Sequence, residues 1–161
     1  MFTLDGVRKF HTWTHLSLSL VLDHLSTIPA RDYARQLPDF GLATLQAQVI
    51  HILNCEGFWI HTLQSSRYVD RDLAQHPSVD DARLLEGEIS GQTLVYLSNL
   101  TSEQLNADTE LRFPDGDIAI RTPALVIHHV LTHAFHHKGQ IVAMCRALGH
   151  PARDTDLNHF K

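Results

Sequence analysis

HHVLTHAFHHKGQIVAMCRALG, residues 128–149, carries five of the chain's 13 histidines within a continuous helical pattern. At about 100° per residue, Val126, Val130, Ala134, Ile141, Met144 and Leu148 form one apolar stripe. His133 and His137 fall on the edge of that stripe. His129 and His136 lie further round, and His128 lies nearly opposite. Residues four apart on a helix share a face about 6 Å apart, so His133 and His137 can converge on one cation. His129 with His133, and His129 with His136, also have suitable spacing. A single His near an apolar face is usually a hydrogen-bonded core residue. The density of this run and its bundle-facing edge favour metal binding for His133 and His137, with His128, His129 and His136 read as solvated or at an interface.

The flanks delimit the helix. Thr122-Pro123 supplies an N-cap followed by Pro at the first helical position. Gly149 stands where a C-terminal cap belongs, and Pro151 prevents continuation. Upstream, TELRFPDGDIAIRT (residues 109–122) places Pro114-Asp115-Gly116 between alternating apolar residues, the pattern of a short β-hairpin or extended excursion. A third helix is expected over about Val79 to Leu100, with Leu84, Leu85, Ile89, Leu94, Leu97 and Leu100 as core. The polar run SSRYVDRDLAQHPSVDD, with Pro77, separates it from a second helix over about Thr44 to Gln64. There Leu45, Val49, Ile52, Trp59, Ile60 and Leu63 share a broad face. A first helix over about Val7 to Thr27 carries Phe10, Trp13, Leu18, Val21, Leu22 and Leu25. The segment Ile28 to Gly41 reads as a connector with one short turn. Four such helices predict an all-α four-helix bundle. The links exceed the 2–8 residues of tight antiparallel neighbours, so simple up-down-up-down order does not follow.

Composition narrows the function. The chain has 161 residues, 43% hydrophobic and 19% charged, which suits one globular domain over residues 1–161. Its 13 Lys plus Arg against 18 Asp plus Glu give a net charge of -5, the opposite of a nucleic-acid-binding footprint. Two Cys do not make a disulfide framework. The opening MFTLDGVRKFHTWTH is no signal peptide, and no run approaches the ~18 apolar residues of a membrane span. A cytoplasmic protein with two free thiols, Cys55 and Cys145, is expected, with no nucleic-acid or membrane partner.

Two His ligands need a third from another helix. His51 and Glu56 in the second helix, and His11, His15 and His24 in the first, are candidates that periodicity leaves open. Glu56 lies seven residues after Val49 on the main apolar face, a costly place for an unpaired carboxylate. It therefore calls for a metal or a cationic partner. His51 lies on a neighbouring strip with Cys55 and Phe58. His11 and His15 also stand four apart, but near a chain end, and read as mostly surface.

THAFHHKGQ (residues 132–140) followed by IVAMCRALG resembles the signature of the DinB/YfiT-like proteins, in which a THxxHHRGQI line belongs to the last helix. HILNCEGFW (residues 51–59) resembles the family's second-helix pattern of His, Glu five later and Trp eight later. FHTWTH and DGDIAIRTP also fit, so the likeness spans essentially the whole chain. Lys138 stands where the pattern has Arg, keeping the charge but losing the planar fork. The resemblance implies an up-down-down-up four-helix bundle, commonly paired as a homodimer, with a metal triad of His51, His133 and His137. Glu56 would then be a supporting or catalytic carboxylate. Three His leave coordination positions open, as in catalytic zinc sites. Zn or Ni is expected, with Mn or Fe as further options. Proteins similar to this family include S-transferases and isomerases that use a low-molecular-weight thiol. The implied activity is therefore a metal-dependent thiol S-transferase acting on an electrophilic small molecule, with Glu56 or a non-ligand His as base. A hydrolase of a small substrate and a non-catalytic metal-binding dimer, stress-related or structural, are the alternatives.

Overall fold

Every long helix starts at a side-chain cap, which satisfies backbone N–H groups that the first turn leaves unpaired. Thr3 accepts from Gly6 N at the start of α1 (Leu4–Leu25), a short α2 (Ala30–Tyr33) follows, and Thr44 accepts from Ala47 N at the start of α3 (Leu45–Leu63). Ser78 and Asp81 form a reciprocal capping box for α4 (Val79–Ser98), and Thr101 with Gln104 does the same for α5 (Ser102–Asn106). Thr122 caps α6 (Pro123–Ala147), with Pro123 in its first turn. At the far end of α6, Gly149 takes φ +84°. His150 N bonds Cys145 O and Gly149 N bonds Arg146 O, the paired bonds of a Schellman cap. This computed structural model describes residues 1–159; Phe160 and Lys161 of the expected 1–161 domain lie outside the described residues.

The expected hairpin is present. β1 (Thr109–Arg112) pairs antiparallel with β2 (Ile118–Arg121), with Leu111 opposite Ala119. Gly116, at φ +93°, supplies the left-handed turn position. The short α5 and a 3₁₀ turn at Leu73–Gln75 were not read from the sequence. Both are single turns, too short to show a period.

The four long helices run up, down, down, up. Arg8 of α1 donates to Leu97 O near the end of α4, and Arg83 near the start of α4 pairs with Asp23 near the end of α1, so these two helices are antiparallel. α1 and α6 run parallel, since Phe10 packs near His128 and Ser17 is bonded by Lys138. α3 runs antiparallel to α6, with Gln48 beside His137 and Trp59 beside His129. α3 is central: every residue from Leu45 to Leu63 is buried or half-buried. Its neighbouring strip, with Cys55 and Phe58, is covered by the chain itself. Phe113, which follows β1, packs on Phe58 and Trp59, and Tyr68 packs on Gly57, where a Cβ would collide with the Tyr68 ring.

The apolar core is in two clusters. One gathers Leu18, Leu22, Leu25, Leu45, Leu53, Leu85, Ile89 and Met144, and the other gathers Val7, Ile60, Leu97, Leu105, Leu111, Ile127 and Leu131. Along α1, α3 and α4 a buried polar level of His11, His15, Glu56 and Thr93 separates them in sequence. The expected α4 core needs correction: Leu84 is 77% exposed and Leu94 is 40% exposed, while Val79, Ala82, Leu85, Ile89, Thr93 and Leu97 face inward. Five leucines and isoleucines on one helix permit more than one stripe, and the packing of α1 and α3 selects the one that includes Thr93. Among the described residues, no helix is long and apolar enough to cross a membrane.

Candidate metal centre

His133 and His137, one turn apart on α6, face His51 across the α3–α6 interface. His137 Nε2 lies 3.1 Å from His133 Nε2, which lies 3.2 Å from His51 Nε2. His137 is buried, and His51 and His133 are half-buried. The structure thus brings together the three residues that the family resemblance grouped. His11 and His24 are directed elsewhere: His24 Nε2 donates to His150 O, and His11 belongs to a second cluster described below.

The donor set fits a cation. His137 Nδ1 donates to Gln48 Oε1 at 2.6 Å. Gln48 is held in that sense by its own amide N–H groups, which donate to Leu42 O and Gln140 Oε1. The His137 proton is therefore on Nδ1, and the Nε2 lone pair points at His133. A proton on His133 Nε2 can be donated to one neighbour at a time, so protons leave the three converging nitrogens under-satisfied. A single cation accepts all three lone pairs. Burial, reinforced by the neighbouring imidazoles, pushes the pKa values of His133 and His137 down to about 4. Burial also lowers that of His51. Neutral imidazole is the form that ligates.

Gln48 and Gln140 were missed in the sequence. A signal existed: Gln48 is a polar residue in an apolar run, three positions before His51. Gln140 also donates to His136 Nε2 at 2.8 Å, so a polar chain runs from His137 through both glutamines to an exposed imidazole. His129 is exposed and stands edge-on to Trp59. His128 donates from Nδ1 to Ala124 O and packs against Phe2, which removes it from the site.

Glu56 sits elsewhere than beside the three imidazoles. It is 2% exposed, and its Oε1 accepts from His11 Nε2 at 3.0 Å and from Thr93 Oγ1 at 2.6 Å. Its Oε2 accepts from His15 Nε2 at 3.0 Å, while His15 Nδ1 meets Glu86 Oε1 at 2.5 Å. His11 and His15 are therefore buried, correcting the surface reading: α4 closes over the face of α1 that carries them. Burial alone would raise the Glu56 pKa, but His15 and His11 hold it well below the carboxylate range. Burial likewise opposes a charged His15, yet Glu56 and Glu86 push its pKa up to about 10. The cationic partner that an apolar-face carboxylate requires is thus supplied by α1.

Lys138 works as a compact cation. Its Nζ donates to Ser17 Oγ and to Thr155 O, each at 2.9 Å, and lies over the Phe135 ring. These bonds fasten the segment after α6 to α1 and need no planar fork. Both thiols are free, and burial pushes Cys55 and Cys145 up to about 11, so neither is a thiolate at neutral pH.

Residues 3–161 match the family model described as DinB family. Protein DinB of Bacillus subtilis (strain 168) is 19% identical over 160 residues, covering 94% of this chain and 90% of that protein. The crystal structure of a DinB-like protein, YjoA, from Bacillus subtilis superposes with a TM-score of 0.61 at 18% identity. That likeness covers 88% of this chain and 93% of the other, and it shows a shared fold.

Proposed function

The chain belongs to the DinB family, and on that footing we propose that His51, His133 and His137 hold a divalent metal ion, Zn or Ni, in a metal-dependent enzyme of the thiol S-transferase type. The observation that carries this reading is the convergence of three Nε2 atoms with the His137 tautomer fixed by Gln48. A divalent ion there would lower the pKa of a water or an external thiol toward ~7 and so supply a nucleophile at neutral pH. The chain's residues prepare that chemistry. Gln48 orients His137. Burial keeps the imidazoles neutral. Exposed His129 and His136 flank the triad and are free of carboxylate partners among the described residues, so they are the groups placed to take up a proton at the surface. Glu56, engaged by three donors, is a poor base at this site.

A low-molecular-weight thiol as co-substrate accords with the state of the chain's own thiols, both held protonated by burial. The acceptor would be an electrophilic small molecule. The protein would pair as a homodimer, with exposed Leu16, Leu20 and Leu94 on α1 and α4 supplying apolar surface.

The test is elemental analysis of untagged protein beside His137→Ala, followed by turnover assays with thiols and electrophilic acceptors. Loss of one Zn or Ni per chain in the variant, with metal-dependent turnover only in the wild type, is expected. Equal metal content in both proteins would remove the triad from the account. Turnover indifferent to metal would remove the enzyme reading.

A further inference from the structure

We propose that His11, His15 and Glu56 form a second, separate divalent-cation site inside the bundle, suited to Zn²⁺ or a similar borderline ion. One nitrogen from each imidazole and one carboxylate oxygen lie within 4.8 Å of one another, and all three residues are buried. The set is two His at i, i+4 on α1 facing a carboxylate on α3, an N₂O donor group of the kind zinc accepts.

Two surrounding contacts point to an ion. His15 uses Nε2 toward the shared point and presents Nδ1 to Glu86 Oε1. A carboxylate on the outer nitrogen is how metal-bound histidines are commonly oriented. Thr93 Oγ1 donates to Glu56 Oε1, the sort of bond that steadies a ligating carboxylate. Charge gives a further argument. Two carboxylates converge here, and without an ion their neutralisation requires cationic imidazoles in the interior, where charge is costly. A divalent ion with two neutral imidazoles balances Glu56 and Glu86 completely.

There is also a way in. A shallow groove of ≈ 270 Å³ between α1 and α4 reaches His11 and His15 and is bordered by Ser19, Glu86, Ser90 and Leu94. The carboxylate of Glu86 stands at this entrance. An ion bound beyond it would tie α1 to α3 midway along the bundle, at the level where the two apolar clusters part.

The test is a cobalt titration of untagged, metal-free protein, read by equilibrium dialysis and by the visible absorption of the bound ion. Three variants accompany the wild type: His133→Ala/His137→Ala, His15→Asn, and Glu86→Gln. Glu86→Gln leaves every proposed ligand in place and guards against failure of His15→Asn to fold. Two ions per chain in the wild type and one in each of the first two variants are expected. Glu86→Gln should bind its second ion about 10–100-fold more weakly. A wild type that binds a single ion, absent from His133→Ala/His137→Ala, would overturn this site and leave the triad standing. A single ion retained in that double variant and lost in His15→Asn would support this site and remove the triad.

Discussion

Two histidine pairs with identical spacing, His11–His15 on α1 and His133–His137 on α6, come to opposite electrostatic surroundings. The α6 pair faces a third imidazole and an amide, and burial drives its members toward neutrality, to about pKa 4. The α1 pair faces two carboxylates, and His15 is pushed up to about 10 despite deeper burial. Spacing therefore sets whether two side chains can meet at a point. What stands opposite sets whether an imidazole is held neutral, as at His133 and His137, or charged, as at His15 in metal-free protein.

The comparison breaks most visibly in stability. In metal-free protein, Glu56→Leu removes the buried acceptor shared by His11, His15 and Thr93 and leaves His11 without its partner. Loss of one partner from a buried ionic group costs about 3–5 kcal/mol, and denaturant unfolding should register it. His133→Ala in the same metal-free protein should change stability far less, because it relieves crowded lone pairs and exposes a half-buried position. Similar losses in the two variants would mean that the clusters are electrostatically alike.

Gln48→Leu sharpens the contrast at intermediate size. It removes the acceptor that fixes the His137 tautomer, so metal affinity at the triad should fall about 10–100-fold. The second site, on other faces of α1 and α3, should keep its affinity. Competition with a chromophoric chelator measures both. Equal weakening at the two sites would show a general loss of packing instead.

The contrast extends to the dependence on pH, and its sign differs between the clusters. For metal-free protein, His133 and His137 have folded pKa values below the unfolded 6.5. The unfolded chain binds more protons between those values, so their contribution is complete above pH 6.5 and falls as pH drops toward 4. His15 has a folded pKa above 6.5. Its contribution is complete below 6.5 and is lost as pH rises toward 10. Relative to wild type, His133→Ala/His137→Ala should flatten the acid side of the stability profile and His15→Asn the alkaline side. Both variants flattening the same side would sink the contrast.

Residue order alone settled a good deal. Thr122-Pro123 and Gly149 bounded α6 because caps answer local backbone needs, and Pro114-Asp115-Gly116 fixed the hairpin for the same reason. The stripe from Val126 to Leu148 put His133 and His137 on an inward edge, since helical angle depends on sequence position only. Periodicity left the third ligand open among several residues; the likeness to a family singled out His51, and the folded chain set it 3.2 Å from His133. Tertiary structure decided the rest. It buried His11 and His15, which a helical wheel near a chain end left outside, because α4 crosses their face. It turned Leu84 and Leu94 outward while taking Thr93 in to meet Glu56. It also covered the second strip of α3 with Phe113 from beyond β1 and Tyr68 from the turn just past α3. A sequence fixes the angle at which each side chain leaves its own helix; which neighbour waits at that angle, and with what charge, is set only when the helices pack.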